Sequence, residues 1–354
     1  LVLLFNQTGH FISAYATGVV VGAPVLVALS SKYAPKKVLL VLMLLFTLFN
    51  GISCLMPNYT TFLLARFFSG LPHGAFFGVG AITAKSLATK GKEAMAISIM
   101  FAGLTLANVL MVPLLTYIGN EWGWRLAMSG VAFLGIATFL SIYFFLPDVQ
   151  IQKEIGIKDE IRYFFNRRSL TVLVITSLGC GGLFAWLSYI QPLMLEVAQL
   201  RISQMPTIMT LAGTGMVVGN LFGGWLADKI RPIKASIIIL TLLISTLLIV
   251  FFTTHNPIMA WVSTFLCGIM AMSLGSPLNM IMFRSAPQSE MMGAAFMQAA
   301  FNIANALGAF LGGIPLDNGY SANYPSLVGA SMALLGLIIC IIFSARSGKK
   351  LYPK

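Results

Sequence analysis

The sequence predicts an all-α integral membrane protein built from two similar helical bundles. Charged residues make up 9% of the 354-residue chain and hydrophobic residues 58%, whereas about 25% of an ordinary soluble domain is charged. The mean hydropathy is +0.89. Apolar runs are continuous and about 20 residues long, the length that a helix needs to cross a bilayer. They do not alternate as the strands of a membrane barrel do.

An internal repeat is the third observation behind this fold class. Part of the first half returns at an offset of 197 residues, the separation of Gly18 from Gly215. The same offset relates Asn108 to Asn305. Such self-similarity indicates a duplicated architecture. Two related bundles of membrane helices are the arrangement found in one large class of transporters.

The apolar runs predict eleven membrane spans. Their approximate limits are 10–30, 38–56, 60–84, 94–118, 125–147, 170–191, 207–228, 234–253, 258–283, 291–315 and 325–345. A duplication calls for six and six, so we expect a first span that is missing from this sequence. The predicted domains are an N-terminal bundle at 1–147, a cytoplasmic linker at 148–169, a C-terminal bundle at 170–346 and a tail at 347–354.

The distribution of Lys and Arg predicts the topology, because these residues favour short cytoplasmic loops. Of the 22 cations, 19 fall in one set of alternating loops and in the C-terminal tail, which we therefore assign to the cytoplasm. Arg125 and Arg201 fall on the other side, and Arg66 lies inside a span. In the linker, Ile157, Ile161, Phe164 and Phe165 could form the apolar face of an amphipathic helix, although a solvated linker explains them equally well.

Several function classes are disfavoured. The net charge of +12 follows the membrane topology and gives no reason to expect nucleic-acid binding. The four cysteines are scattered without metal-ligand spacing, and no motif of catalysis or of nucleotide binding is present. We therefore expect neither enzymatic activity nor a metal or other cofactor.

Arg66 is the principal candidate for a functional charge. A cation at membrane depth costs about 2.5–3.5 kcal/mol, so it normally faces a wet cavity or a partner. The alternative is that Arg66 lies near the outer end of its span and extends to the headgroups. Glycines at intervals of four residues predict close helix packing. These glycines are Gly18, Gly22, Gly70, Gly74, Gly78, Gly215, Gly219 and Gly223.

Asp228 and Arg231 stand in a short turn between two spans. An acid there could pair with a neighbouring helix end in only one conformation of a moving protein, and we assign both residues to coupling or gating. A solvated turn acid worth under about 1 kcal/mol is nearly as good an interpretation. The equivalent position in the first half is Ser31, so that half lacks the acid.

Uncharged polar side chains within the spans are candidates for the wall of a substrate cavity. For each of them, hydrogen bonding between helices is the stronger interpretation, and aromatic residues near a span end also serve as interfacial anchors. His10 and His73 rank second. The predicted cavity residues are Asn108, Trp186, Tyr189, Gln191, Gln298, Asn302 and Asn305.

Residues 32–37 (Lys-Tyr-Ala-Pro-Lys-Lys) and 224–234 (Gly-Trp-Leu-Ala-Asp-Lys-Ile-Arg-Pro-Ile-Lys) resemble the signature loops of the major facilitator superfamily. Residues 64–70, which include Arg66, resemble the Arg-plus-Gly motif of its fourth span, implicated in proton transfer across the family. The resemblance implies a fold of two six-helix bundles. Gly103 and Pro113, with Asn108 between them, depart from the Gly-Pro pair in the fifth span of drug:proton antiporters.

Residues 9–15, 18–24, 72–81 and 184–189 resemble bacterial arabinose- and sugar-efflux permeases. This resemblance implies a monomeric transporter of the bacterial inner membrane that exports a sugar or drug-like solute by alternating access. Its driving force would be the proton gradient, and its partners would be solute, protons and lipid. The family's membrane-embedded acid would lie in the missing first span. Uniport or symport of a sugar or nucleoside is an alternative, and a non-transporting membrane sensor is a weaker one.

Overall fold

The computed structural model describes residues 5–30, 32–149, 165–287 and 290–351. Within these ranges the regular secondary structure is entirely helical, as predicted. The helices of the first half are α1 (Phe5–Ser30), α2 (Pro35–Leu55), α3 (Tyr59–Leu87), α4 (Glu93–Leu106), α5 (Val112–Trp122) and α6 (Trp124–Phe145). Those of the second half are α7 (Arg167–Ser188), α8 (Met205–Ile230), α9 (Pro232–Thr253), α10 (Pro257–Ser273), α11 (Gly275–Ser285), α12 (Glu290–Asp317) and α13 (Tyr324–Leu351).

Ten helical segments in the described ranges are long and apolar enough to cross a membrane, and Ala14–Ser30 in α1 adds a shorter apolar stretch. Every predicted span therefore coincides with a helical segment. The chain is a multi-pass membrane protein. Most of the predicted linker, including Ile157, Ile161 and Phe164, lies outside the described residues.

Helix starts follow local sequence signals. Pro35, Pro232 and Pro257 each occupy the start of a helix, where the missing N–H of proline costs nothing. The side chain of Asn166 accepts hydrogen bonds from the backbone at the start of α7, and Asn256 does the same for α10. These caps satisfy N–H groups that have no partner within the helix.

Three predicted spans are interrupted, each shortly before a proline. The span at 170–191 breaks at Tyr189, three residues before Pro192. A π-helical turn at Ala107–Met111 joins α4 to α5, because Pro113 has no N–H to donate to the carbonyl of Val109. The predicted span at 258–283 divides into α10 and α11 at Leu274, three residues before Pro277. Pro277 has no N–H to donate to the carbonyl four residues earlier in the chain. Helix α3, by contrast, continues through Pro72.

The described residues form two compact units. Unit 1 takes its members from Leu1–Leu87, Met111–Phe164 and Gln288–Asn302. In it α1 and α2 pack on α3, and α6 packs on α2 and α5. Unit 2 takes its members from Ala88–Leu110, Phe165–Pro287 and Ile303–Lys354. In it α7 and α9 pack on α13, while α4 and α10 pack on α8. Helix α4, which belongs to the first half of the sequence, thus groups with the helices of the second half. The predicted division of the chain into two bundles at the linker stays a prediction.

Close helix contacts within each unit pass through the ridge glycines. In unit 1 a Cβ on Gly18 would overlap the carbonyl oxygen of Phe67 on α3. In unit 2 a Cβ on Gly219 would overlap the carbonyl oxygen of Ile269 on α10. Gly22, Gly70, Gly74, Gly78, Gly215 and Gly223 are similarly crowded by a neighbouring helix. Backbones that approach this closely leave no room for a side chain.

Candidate functional site

Arg66 lies in a polar cluster of unit 1, built by α1, α2 and α3. Its Cζ stands 4.4 Å from the centroid of the Tyr15 ring. Its Nη1 donates to Oδ1 of Asn50 at 3.4 Å, and Asn50 is only 1% exposed. Aromatic and amide groups of this kind partly replace the water that a cation loses at membrane depth. Arg66 is half-buried and held by helices on two sides.

The cluster continues from Arg66 to His73 through Tyr15. The hydroxyl of Tyr15 lies 2.8 Å from Nδ1 of His73, and the two rings meet edge to face at 5.5 Å. Arg66 and His73 are seven residues apart on α3, and this spacing puts them on one helix face. Sequence analysis ranked His73 second because a lone histidine is more often structural than functional, and the sequence does not show the tyrosine that joins it to Arg66.

None of the described carboxylates is an ion-pair partner of Arg66. The Tyr15 ring face and the Asn50 amide oxygen present partial negative charge to the cation, and neither carries a full charge. Among the described residues, no anion neutralises the guanidinium.

Asp228, in unit 2, caps the first turn of α4. Its Oδ1 accepts a hydrogen bond from the backbone N–H of Ala94 at 3.2 Å, and its Oδ2 accepts one from Met95 at 3.0 Å. The carboxylate thus satisfies two N–H groups that lack partners within the helix, and its charge is favourable at a helix N-terminus. Asp228 thus contacts the end of a neighbouring helix, and its role in gating stays a prediction.

A small crevice of about 170 Å³ surrounds Asp228, and its lining includes Glu93, Arg231 and Arg284. Arg231 occupies the turn between α8 and α9 with a φ of 82°. A residue other than glycine rarely adopts a positive φ, and such strain persists only where surrounding structure holds it. The crevice therefore lies beside a turn that is rich in charged side chains.

Helices α4 and α8 are also joined deeper in unit 2. The Asn220 amide donates to the carbonyl oxygen of Ser98 at 2.5 Å, and the Ser98 hydroxyl donates to the carbonyl oxygen of Asn220 at 2.8 Å. Ser276 on α11 lies 2.7 Å from the same hydroxyl. Asn220 is thus engaged between helices. Sequence analysis did not single out Ser98 and Ser276, since serines in apolar helices carry no distinctive spacing.

An ion pair in unit 1 joins α3 to the start of α12. Nζ of Lys85 lies 2.5 Å from Oε1 of Glu290, and their side chains are 25% and 28% exposed. The two residues are separated by 205 positions. Glu290 lies 197 residues after Glu93, which is the offset of the internal repeat, but nothing in the spacing indicated Lys85 as its partner. The pair adds a second charged contact at a helix end.

The aromatic candidates of α7 pack within unit 2. Trp186 is 1% exposed, and its indole N–H has no hydrogen-bond partner among the described residues. The hydroxyl of Tyr189 donates to the carbonyl oxygen of Ala309 at 2.8 Å. Gln191 is exposed. Tyr189 therefore anchors α7 to α12, whereas Trp186 retains a donor that a ligand or water could use.

The amide stripe on α12 is partly self-satisfied. The Asn302 amide donates to the carbonyl oxygen of Gln298 at 2.9 Å, and Gln298 is 7% exposed. Asn305 is half-buried. The side chain of Asn108 lies outside the described residues, so only its position in the π-helical turn is known. The predicted lining of a cavity by these amides stays a prediction.

The fold and these charged clusters define a multi-pass, all-helical membrane transporter. The Major Facilitator Superfamily profile matches residues 5–313, and the chain belongs to this family. A putative transporter, AraJ, of Escherichia coli (strain K12) is 34% identical over 335 residues, which are 95% of this chain and 85% of AraJ. A probable sugar efflux transporter of Pasteurella multocida (strain Pm70) is 27% identical over 345 residues, covering 97% and 84% of the two chains.

The fold is similar to that of a solved member of the superfamily. A crystal structure of the E. coli fucose:proton symporter FucP superposes with a TM-score of 0.77 at 14% identity, covering 96% of this chain and 91% of FucP. At that identity the likeness supports the all-α fold alone. Family membership makes the protein a transporter and not an enzyme.

Proposed function

We propose that the protein exports a small organic solute, either a sugar or a drug-like molecule, in exchange for protons by alternating access. The similarity to the probable sugar efflux transporter of Pasteurella multocida favours export of a sugar. The resemblance of residues 64–70 to a proton-transfer motif favours coupling to protons. The Arg66 cluster carries the proposal, because it places a fixed positive charge within the helical unit.

Coupling follows from the surroundings of Arg66. A carboxylate near this guanidinium is stabilised while it is ionised and loses that stabilisation when it takes up a proton. Protonation thereby changes the relative free energies of two conformations, and solute binding can do the same in the opposite direction. Tyr15 and His73 extend the polar cluster and would hold Arg66 in place while the carboxylate beside it gains or loses a proton.

Gating rests on two contacts at helix ends. Asp228 on α8 caps α4, and Lys85 on α3 pairs with Glu290 on α12. Each contact joins a helix of the first sequence half to a helix of the second. If the halves move as two bundles, both contacts form in one state of the cycle and break in the other. We assign Arg231 to the same turn, where its strained backbone fixes the approach of Asp228.

The location is inferred from charge. Nineteen of the 22 cations lie in one set of loops and in the tail, and this asymmetry favours a cytoplasmic location for these loops and the C-terminus. Bacterial relatives favour the inner membrane. The protein acts as a monomer in this proposal, with solute, protons and lipid as its partners, and it needs no cofactor.

Solute accumulation that is driven by an imposed pH gradient tests the proposal. Protein in proteoliposomes would be screened by thermal shift against monosaccharides, disaccharides and lipophilic cations, and the hit would be supplied in labelled form. Antiport predicts that the solute accumulates in an acidic lumen. Accumulation in an alkaline lumen would indicate symport, and exchange that is indifferent to pH would indicate uniport of a sugar or nucleoside. Either of the last two outcomes rejects proton-coupled export.

A further inference from the structure

A cavity in unit 2, formed by the start of α7 and the end of α13, has no part in the transport site described above. Its volume is about 460 Å³, within the range of small-ligand sites. Three cations line it: Arg167 and Arg168 on α7, and Arg346 on α13. None of the described residues that line it is acidic. A site with three positive charges and no negative one selects an anion.

The apolar part of this cavity indicates what kind of anion. Ile339, Ile342 and Phe343 complete the α13 side together with Arg346, at positions that share one helix face. Seven residues separate Ile339 from Arg346, and they correspond to about 10 Å along the helix. The cavity thus extends from the charged helix ends into the apolar zone. A free anion would use only the charged end, whereas a phospholipid would fill both.

The backbone at the start of α7 is already occupied. Oδ1 of Asn166 accepts hydrogen bonds from the N–H groups of Arg168 and Ser169 at 2.8 and 3.0 Å. An anion in the cavity would therefore be recognised by the side chains, not by the helix N-terminus. Arg167 is exposed and Arg168 is half-buried, so their guanidinium groups border the surface of the unit. Guanidinium groups suit phosphate oxygens because they can donate two parallel hydrogen bonds.

A second groove on unit 1 serves as a comparison. It has a volume of about 360 Å³, lies between α1 and α2, and is lined mainly by leucines and valines. Lys37 is the one cation among its described lining residues. Such a groove accepts an acyl chain without selecting the headgroup. Three arginines in one cavity are a different arrangement, because basic pockets between transmembrane helices favour anionic headgroups.

We infer that the cavity lined by Arg167, Arg168 and Arg346 binds an anionic phospholipid, with its phosphate at the arginines and an acyl chain against Ile339, Ile342 and Phe343. The occupant is a lipid of the leaflet in which these helix ends lie. The inference needs only the membrane setting of the chain and is independent of the solute or its coupling. Binding would hold the ends of α7 and α13 together.

Native mass spectrometry of the purified protein with defined lipids tests the inference. Phosphatidylglycerol and cardiolipin should stay bound in preference to phosphatidylcholine. In the triple variant Arg167→Gln, Arg168→Gln and Arg346→Gln, their affinity should fall by about tenfold or more. The control Lys90→Gln, Lys92→Gln and Lys234→Gln removes the same charge from exposed positions elsewhere and should change affinity by less than about twofold. Equal losses in the two triple variants would overturn the site.

Two further experiments distinguish a bound lipid from a free anion in this cavity. Millimolar inorganic phosphate should fail to displace the lipid, because it makes no apolar contact. Ile342→Trp fills the cavity without altering charge, and it should weaken lipid binding while unfolding in phosphatidylcholine stays at the wild-type temperature. Displacement by phosphate, or unchanged binding in a normally folded Ile342→Trp variant, would contradict the lipid assignment.

Discussion

Asp228 accepts a hydrogen bond from the backbone N–H of Met95 at 3.0 Å, although 133 residues separate them in the chain. The same carboxylate accepts a second hydrogen bond from Ala94. One side chain of α8 thereby satisfies the first turn of α4, a helix of the other sequence half. The signature turn is in this way joined to a specific partner, and its role can be examined by substitution.

We expect Asp228→Ala to lower the free energy of unfolding by about 1–2 kcal/mol, the usual cost of a lost helix cap. Asp228→Asn keeps an acceptor but loses the charge, so its cost should be smaller. Thermal unfolding in detergent would measure both. Lys234→Ala is the control, because Lys234 is exposed on the neighbouring helix. An Asp228→Ala variant as stable as this control would show that the cap contributes nothing.

Arg66→Ala should abolish transport while leaving expression intact, because no other described cation shares its cluster. Arg66→Lys should restore transport only in part, since an ammonium group cannot reproduce the planar contact with Tyr15 and Asn50. Arg125 offers a matched control: it lies 4.5 Å from the centroid of the Trp124 ring but is exposed. Arg125→Ala should transport normally. Normal transport by Arg66→Ala would make Arg66 a structural residue only.

The Lys85–Glu290 pair can be tested by a double-mutant cycle. Lys85→Glu and Glu290→Lys should each lower the unfolding temperature, and the combined exchange should recover most of the loss. A coupling energy of about 1 kcal/mol is expected for a partly exposed pair. If the two losses simply add in the double variant, the pair does not stabilise this conformation.

Two glycines of unit 2 allow the effect of close helix packing to be distinguished from the effect of helix propensity. A Cβ on Gly219 would overlap the carbonyl oxygen of Ile269, whereas a Cβ on Gly103 would meet nothing within 4 Å. Gly219→Ala should therefore reduce the yield of folded protein or cost about 1–3 kcal/mol. Gly103→Ala should be neutral or slightly stabilising. Size-exclusion profiles and unfolding temperatures compare the two, and similar behaviour would contradict the role of Gly219 in close packing.

The sequence predicted the helices well because hydrophobic length is a local property. Each apolar run became a helical segment, and the repeated glycines lie at close helix contacts. The proline effects were harder to predict: Pro113 and Pro277 accompany interruptions, while α3 continues through Pro72. Whether a helix accommodates a proline depends on neighbouring helices that can satisfy the freed carbonyl, and the sequence does not show those neighbours.

The candidate sites were predicted by residue type and not by partner. Arg66 and Asp228 were singled out because charge is rare in this chain. The sequence could not show that Arg66 contacts Tyr15, that Tyr15 contacts His73 or that Asp228 contacts Met95. No periodicity connects residues on different helices. Lys85 and Ser98 were missed for the same reason. Long-range pairs of this kind would require information beyond a single sequence.

Proton movement that accompanies solute entry tests the central claim most directly. Proteoliposomes would carry a pH-sensitive dye in the lumen, with no imposed gradient, and the solute found in the thermal-shift screen would be added outside. Exchange of solute for protons predicts that the lumen becomes alkaline with wild-type protein and stays unchanged with Arg66→Ala. A lumen that acidifies, or one that stays at constant pH while labelled solute enters, would contradict proton-coupled export.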